Sequence, residues 1–150
     1  MNTINLQSKT QAERGTVEKY WFENENIGLK RTLFHRVYIP LKPFNSGLDH
    51  DAQPVETEIV IEWLNLQLPD PDDLDNLDLS KIKDDQTEVS LYLGGAHNPC
   101  EILKMNWAKT ADHSYLVSCE LLIDLEYEGV AKNESFRFET ILELDPRVKE

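Results

Sequence analysis

The stretch that decides the fold is SYLVSCELLIDLEYE, residues 114–128. One parity of it is apolar and comprises Tyr115, Val117, Cys119, Leu121, Ile123, Leu125 and Tyr127. The other parity is mainly polar and acidic, with Leu116 and Leu122 as its exceptions. Because successive side chains of a β-strand point to opposite faces, this period of two predicts a long strand with one buried face.

The same alternation recurs on both sides of this stretch. Residues 134–144 repeat it after a candidate hairpin loop at 129–133. Upstream, alternating apolar residues predict five more strands, at 16–22, 29–41, 55–63, 87–93 and 101–107. The apolar parity flips between Trp63 and Leu64, which predicts a β-bulge near Trp63.

About seven short strands are typical of a sandwich, a barrel or a strongly curved sheet. The predicted fold class is therefore mainly β, with about seven antiparallel strands in a curved sheet, sandwich or half-barrel. At most one or two short helices are expected, which leaves an α+β fold open, and the best candidate is Asp72–Ile82. We expect a single domain over residues 1–150, with residues 1–14 as a candidate disordered segment and residues 69–86 as an acidic insert loop.

The chain is strongly acidic, and the imbalance is concentrated in one part of it. The formal net charge is −13, from 28 Asp and Glu against 15 Lys and Arg. Residues 49–88 contain thirteen acids against Lys81 and Lys83, a local charge of −11. Such a field repels nucleic acids and anionic membranes and attracts basic partners. We therefore expect a basic protein as partner, with no nucleic-acid binding and no membrane binding.

The N-terminal and apolar segments predict neither export nor membrane insertion. Residues 1–15 are polar and mixed in charge, unlike the apolar core of a signal peptide. The longest apolar runs are too short to span a bilayer. Cys100 and Cys119 would stay free thiols in the reducing cytoplasm, where we expect the protein to act.

The acidic insert at residues 69–86 is the leading candidate for a partner-binding site. The acids expected to contact the partner are Asp70, Asp72, Asp73, Asp75 and Asp78. The alternative is a solvated loop in which Asp residues cap turns and a short helix. Registers from Asp70 and Asp73 both fail as an EF-hand, since neither places Gly at the sixth position, and only a non-standard calcium site stays open. Neutralising the five acids is expected to weaken partner binding and to leave the thermal midpoint nearly unchanged.

The predicted outward faces of the strands are acidic as well. The acids on them are Glu56, Glu58, Glu62, Glu120, Asp124, Glu126, Glu139 and Glu143. A surface selected only for solubility would carry more Lys and Arg among these acids. An acidic sheet face therefore also favours a basic partner, provided that the strands lie side by side.

Metal binding and catalysis have weaker candidates. His97, Cys100, His113 and Cys119 are of the ligand types that zinc accepts. Cys119, however, lies on the apolar parity of a strand, where a small buried residue is expected. Cys100 with His97 is the best thiol–base pair, but the chain has neither a Gly-rich nucleophile turn nor a phosphate-binding loop. We expect no cofactor, no metal and no enzyme activity.

Three consecutive aromatics, Tyr20-Trp21-Phe22, lie in the first predicted strand. They must face both sides of that strand, so at least one is expected to be exposed, or covered by a loop or a partner. Tyr20 and Trp21 are therefore candidate apolar anchors for the partner.

Together these features predict a non-catalytic protein-binding domain. They favour an acidic immunity or inhibitor protein of the bacterial kind, which neutralises a basic toxin or nuclease by occluding its active site. Two alternatives remain open: a β-barrel that binds a small ligand in its interior, and an acidic secretion or assembly chaperone.

Overall fold

Seven strands close into a barrel in the computed structural model, which describes residues 1–80, 82 and 84–150. The strands are β1 (Gly15–Asn24), β2 (Leu29–Pro40), β3 (Glu58–Leu64), β4 (Glu88–Leu93), β5 (Ala96–Ala111), β6 (Ser114–Ile123) and β7 (Glu134–Lys149). The helical elements are a single turn of α-helix, α1 (Leu6–Lys9), and a 3-10 turn at Glu25–Ile27. This architecture confirms the predicted mainly β fold class.

Strands that follow one another in the chain pair antiparallel, so that the sheet is a meander. An odd number of strands leaves the first and the last pointing the same way, and β7 therefore closes the barrel by pairing parallel with β1. Gly15 lies opposite Leu142 in this pairing. A Cβ at Gly15 would lie 2.1 Å from the carbonyl oxygen of Tyr38 on β2 and 2.8 Å from Leu142 Cδ2 on β7, so the close packing of β1 between its two neighbours requires glycine here.

The barrel interior is filled by the apolar parity of the strands. In β6, Tyr115, Val117, Leu121 and Ile123 are fully buried, as the alternation predicts. The predicted strand is too long, however, because β6 ends at Ile123 and Tyr127 is 74% exposed instead of facing the core. The chain turns there because the Asp124 carboxylate accepts a hydrogen bond from the backbone N–H of Tyr127 at 3.1 Å.

The N-terminal segment, a candidate for disorder in the sequence, packs against β7. The side chains of Ile4 and Leu6 are buried. The Glu134 carboxylate accepts hydrogen bonds from the backbone N–H groups of Ile4, Asn5 and Leu6 at 2.8–3.0 Å. These bonds satisfy N–H groups at the start of α1 that have no partner within the helix.

The described residues of the acidic insert form no helix, contrary to the helix predicted at Asp72–Ile82. Its described residues form turns and an isolated bridge between Asp78 and Asn106 of β5, while Lys81 lies outside the described residues. Leu74 and Leu79 are buried. Backbone hydrogen bonds from Asn76 to Trp107 and from Leu79 to Met105, at 3.1 and 2.9 Å, replace the helical pattern. The leucine spacing thus serves the packing of an irregular segment of successive turns along β5.

The predicted β-bulge is present at Trp63. The register between β2 and β3 shifts there, and Trp63 has a left-handed φ of +61°. The extra residue turns both Glu62 and Trp63 toward the outer face of the barrel, where Trp63 contacts Phe22 of β1. In the part of the chain that the structure describes, no helix is long and apolar enough to cross a membrane.

Candidate functional site

A groove of about 820 Å³ lies on the outer face of β2, β3 and β4. We call it the acidic groove. Val60 of β3 and Ser90 of β4, which pair with each other, lie along its middle. Four acids line it, Glu56, Glu58, Glu62 and Glu88, together with Tyr38, Thr57, Tyr92 and His97. The groove is therefore a shallow trough with short side chains in the middle and long acidic and aromatic side chains around it.

Strand register brings the acids of the groove together. Glu62 and Glu88 lie directly opposite each other on β3 and β4. Like charges in such a pair destabilise a sheet. Among the residues that the structure describes, none donates a hydrogen bond or forms an ion pair with the side chains of Glu56, Glu58 or Glu88. The described residues thus leave the negative charge of these three carboxylates uncompensated along the groove.

Arg36 compensates only one end of the acidic groove. Its guanidinium bonds to Glu62 and to Glu18, both at 2.7 Å, and lies 4.3 Å from the centre of the Tyr20 ring. Burial opposes the charged guanidinium, but the hydrogen bonds to Glu62 and Glu18 outweigh it and raise the pKa of Arg36 above its ordinary value. Arg36 is therefore a permanent internal cation, and the carboxylates that it does not reach are those of Glu56, Glu58 and Glu88.

A tight hairpin presents the aromatic wall of the acidic groove. Gly94 and Gly95 join β4 to β5 with φ of +66° and +73°, as a two-residue hairpin turn requires. The buried side chain of Asn98 donates to the backbone carbonyls of Leu91, Leu93 and Ala96 at 3.0–3.1 Å and so fixes this turn. Tyr92 and His97 pair across the hairpin with ring centroids 4.8 Å apart, and Tyr92 is 51% exposed.

The five predicted aspartates mainly stabilise the acidic insert itself. Three accept hydrogen bonds from backbone N–H groups two residues later: Asp70 from Asp72, Asp73 from Asp75, and Asp78 from Ser80, at 2.8–3.2 Å. Asp75 accepts from the backbone N–H of Lys109 at 2.9 Å. These contacts match the turn-capping alternative. Asp70, Asp73, Asp75 and Asp78 are nevertheless exposed, so their charge still contributes to the field around the protein.

Asp72 differs from the other four because it pairs with a buried lysine. Lys19 of β1 is only 2% exposed, and its ammonium group is bonded to the Asp72 carboxylate. Next to it, His35 Nε2 lies 2.8 Å from the carbonyl oxygen of Pro71. Burial lowers the pKa of His35 below its ordinary value, which makes its imidazole neutral near neutral pH. Lys19 and His35 thus hold the acidic insert across one end of the barrel.

The predicted aromatic anchors, Tyr20 and Trp21, lie on opposite faces of β1. Tyr20 is buried on the outer face, stacked on Phe34 at 5.8 Å and edge-on to Trp63 at 5.7 Å. Trp21 is half-buried on the other face, with the Arg31 guanidinium 4.4 Å above its ring. Internal groups therefore cover most of both rings, and the freely exposed aromatic side chain beside the acidic groove is Tyr92.

The four residues considered as zinc ligands do not meet at one point. His97 lies in the acidic groove, whereas His113 lies at the β5–β6 turn, at the far end of the hairpin from Cys100. Within the described residues, no group of three or more His, Cys, Asp and Glu side chains could hold a metal ion. Burial raises the pKa of the Cys100 thiol to about 12, so it is protonated and is not an activated nucleophile at neutral pH.

The alternation in the sequence identifies only part of the acidic groove. Glu56, Glu58 and Glu62 are recognisable as an acidic strand face, but Glu88, Tyr92 and His97 join them only through strand pairing. In the sequence, Glu88 and Tyr92 fall on the outward-facing parity of the strand before Gly94-Gly95, and His97 follows these glycines. A hairpin centred on these glycines would have placed Tyr92 opposite His97.

The fold and site together define a closed seven-stranded β-barrel with an acidic groove on its outer face. No family model, no curated protein and no solved structure matches the chain. Function must therefore be inferred from the chemistry of the site.

Proposed function

We propose that the protein is a stoichiometric inhibitor, of the immunity-protein class, that binds a basic protein through the acidic groove and occludes its active site. The observation that carries this proposal is the groove itself, in which Glu56, Glu58 and Glu88 surround a concave surface. Among the described residues, no cation pairs with these three carboxylates. A cationic toxin or nuclease presents the complementary surface, because an active site that holds polyanions is rich in Lys and Arg.

Long-range electrostatics supports the same class of partner. With a net charge of −13, the protein attracts a basic partner from a distance and accelerates the encounter. The exposed aspartates of the acidic insert contribute to this steering, which is the role that we assign to Asp70, Asp73, Asp75 and Asp78. The same field disfavours nucleic acid as a direct ligand. Reduced thiols at Cys100 and Cys119 suit action in the cytoplasm.

The packing of the barrel favours a surface site over an interior one. Large side chains such as Tyr115, Phe136 and Leu121 fill positions that face the interior. A barrel that binds a small ligand would need room inside it. The acidic groove instead opens on the outer surface. The interior thus acts as a scaffold, and the binding function is assigned to the outside.

The test is a capture experiment with a charge-matched control. The tagged protein and two triple variants are incubated with lysate of the native host at low salt and eluted with a salt gradient. The first variant, Glu56→Gln/Glu58→Gln/Glu88→Gln, neutralises the acidic groove. The second variant, Glu101→Gln/Glu120→Gln/Glu128→Gln, removes the same charge outside the groove.

We expect the wild type and the control variant to retain one basic protein that elutes only at high salt. The groove variant should lose that protein, since its partner contacts and not merely its net charge have changed. The purified partner should then lose its own activity at one equivalent of the wild-type protein. Equal capture by all three proteins, or a partner whose activity is unaffected, would contradict the proposal.

A further inference from the structure

A second concave surface lies beside the acidic groove on the same outer face of the barrel. It is a cleft of about 340 Å³, which we call the aromatic cleft. Its lining is apolar at Phe22, Ile27, Leu29, Phe34 and Trp63. Ile27, in the turn between β1 and β2, is 71% exposed. Exposed apolar side chains that converge on one concavity are typical of an interaction site.

The β-bulge at Trp63 creates the aromatic cleft. Because the bulge turns both Glu62 and Trp63 outward, the indole packs edge-on against Phe22 at 4.9 Å and against Phe34 at 5.4 Å. Phe34 is buried, whereas Phe22 and Trp63 are only half-buried. A tryptophan with a left-handed φ is an outlier, and such conformations concentrate at functional sites.

Charge at the edge of the aromatic cleft indicates what would occupy it. The exposed residues Asp85 and Glu88 lie at its rim, and among the described residues neither has an ion-pair partner. Glu88 also lines the acidic groove, so the two concavities share one carboxylate. A ligand that follows the outer face would therefore meet an apolar cleft and an acidic groove in succession.

We propose that the aromatic cleft receives one apolar side chain from the basic segment that occupies the acidic groove. The segment would be extended, with a Leu or Phe flanked by Lys or Arg, so that the apolar side chain contacts Trp63 and Ile27 while the cations reach Asp85 and Glu88. The cleft volume is large enough to admit such a side chain. An apolar core with a polar rim is the usual anatomy of a protein–protein interface, and the residues that anchor it fill well-packed pockets. This inference rests on the proposed function.

Two synthetic peptides of equal charge test the inference. One, acetyl-KRFKRLKR-amide, carries apolar residues, and the other, acetyl-KRSKRSKR-amide, replaces them with serine. Each is titrated at low salt into the ¹⁵N-labelled protein while the tryptophan indole and backbone signals are followed. We expect the apolar peptide to bind at least fivefold more tightly and to shift the indole signal of Trp63. The serine peptide should shift only signals around the acidic groove, such as that of Glu58.

Two variants with exposed positions separate the cleft from the groove. Ile27→Ser should remove the advantage of the apolar peptide without changing affinity for the serine peptide. Tyr127 is 74% exposed and lines neither the acidic groove nor the aromatic cleft, so Tyr127→Ser should change neither affinity. Because both side chains are exposed, both variants are expected to fold.

The outcomes distinguish the two proposals. If both peptides bind equally well at the groove and Trp63 does not respond, the aromatic-cleft inference is wrong while the acidic-groove proposal stands. If the apolar peptide shifts Trp63 without any response at the groove, the acidic-groove proposal fails instead. Dilution-dependent shifts of Trp63 without peptide would identify a second copy of the chain as the occupant and overturn the inference.

Discussion

The substitution Asp72→Asn should destabilise the protein, because it removes the counter-ion of a buried lysine. Lys19 is 2% exposed, and its other contact is the carbonyl oxygen of Pro146 at 3.4 Å. Removing one partner of a buried ion pair costs about 3–5 kcal/mol. The Asp72 side chain is 38% exposed, so we take the lower end, about 3 kcal/mol. For a domain of this size, that corresponds to a fall in the thermal midpoint of roughly 6–12 °C.

The measurement is urea unfolding followed by tryptophan fluorescence, with calorimetry for the thermal midpoint. Asp73→Asn is the matched control, since it makes the same charge change at an exposed aspartate and keeps the acceptor oxygen for Asp75. We expect its free energy of unfolding to stay within about 0.5 kcal/mol of wild type. The sequence alone predicts that neutralising all five aspartates leaves the midpoint nearly unchanged, and the Lys19–Asp72 pair revises that expectation.

A double variant tests whether the uncompensated ammonium group is the cause. Lys19→Met/Asp72→Asn removes both charges and leaves an apolar chain of similar length in the barrel. Replacing a whole buried ion pair by apolar residues is often close to neutral, so the double variant should regain at least about half of the loss. If Asp72→Asn costs less than about 1 kcal/mol, or if the double variant is as unstable as the single one, the buried-pair reasoning is refuted.

Three further predictions concern the closure, the N-terminal segment and pH. Gly15→Ala should lower the free energy of unfolding by about 2 kcal/mol or more, since its Cβ would collide with the β2 backbone. Thr16→Ala, at an exposed neighbour, should have little effect in the same urea titration. Glu134→Ala should cost about 2 kcal/mol and abolish hydrogen-exchange protection around α1, while unchanged protection there would contradict the capping role. Because burial lowers the pKa of His35, the unfolded chain binds a proton below pH 6.5 that the folded protein does not. Stability should therefore fall as the pH drops below 6.5, by up to about 1.4 kcal/mol per pH unit, and His35→Gln should show a shallower loss in pH-dependent unfolding.

Local patterns predict the strands of this protein well because one face of each strand is buried. The alternation around Cys119 and Leu121 places the right side chains in the core, and the parity flip locates the bulge at Trp63. Two local errors have the same cause, since apolar spacing does not reveal when a chain leaves the sheet. Tyr127 follows the alternation but lies in a turn, and Leu74 belongs to a segment of turns and not to a helix.

The closure of the barrel and the composition of the site depend on long-range pairing. Nothing local to Gly15 indicates that Leu142 will lie opposite it. In the same way, Lys19 lies on the buried parity of β1 together with Val17. Nothing near Lys19 in the sequence indicates that Asp72 of the acidic insert will be its counter-ion. The alternation indicates the acids Glu58 and Glu62 of the acidic groove, whereas the aromatic contribution of Tyr92 depends on the register of β4 with β5.

The parallel pairing of β1 with β7 has a consequence for how the protein folds. Thr140 of β7 donates a hydrogen bond to the carbonyl oxygen of Glu13, 127 residues earlier in the chain. Closing a flexible loop of that length costs roughly 4 kcal/mol in chain entropy before any contact is gained. The β5–β6 and β6–β7 hairpins form from neighbouring segments and carry a much smaller cost. The β1–β2 hairpin is equally local. We therefore expect the hairpins to assemble early and the pairing of β1 with β7 to form last, so that most of the chain must leave the ribosome before the barrel can close.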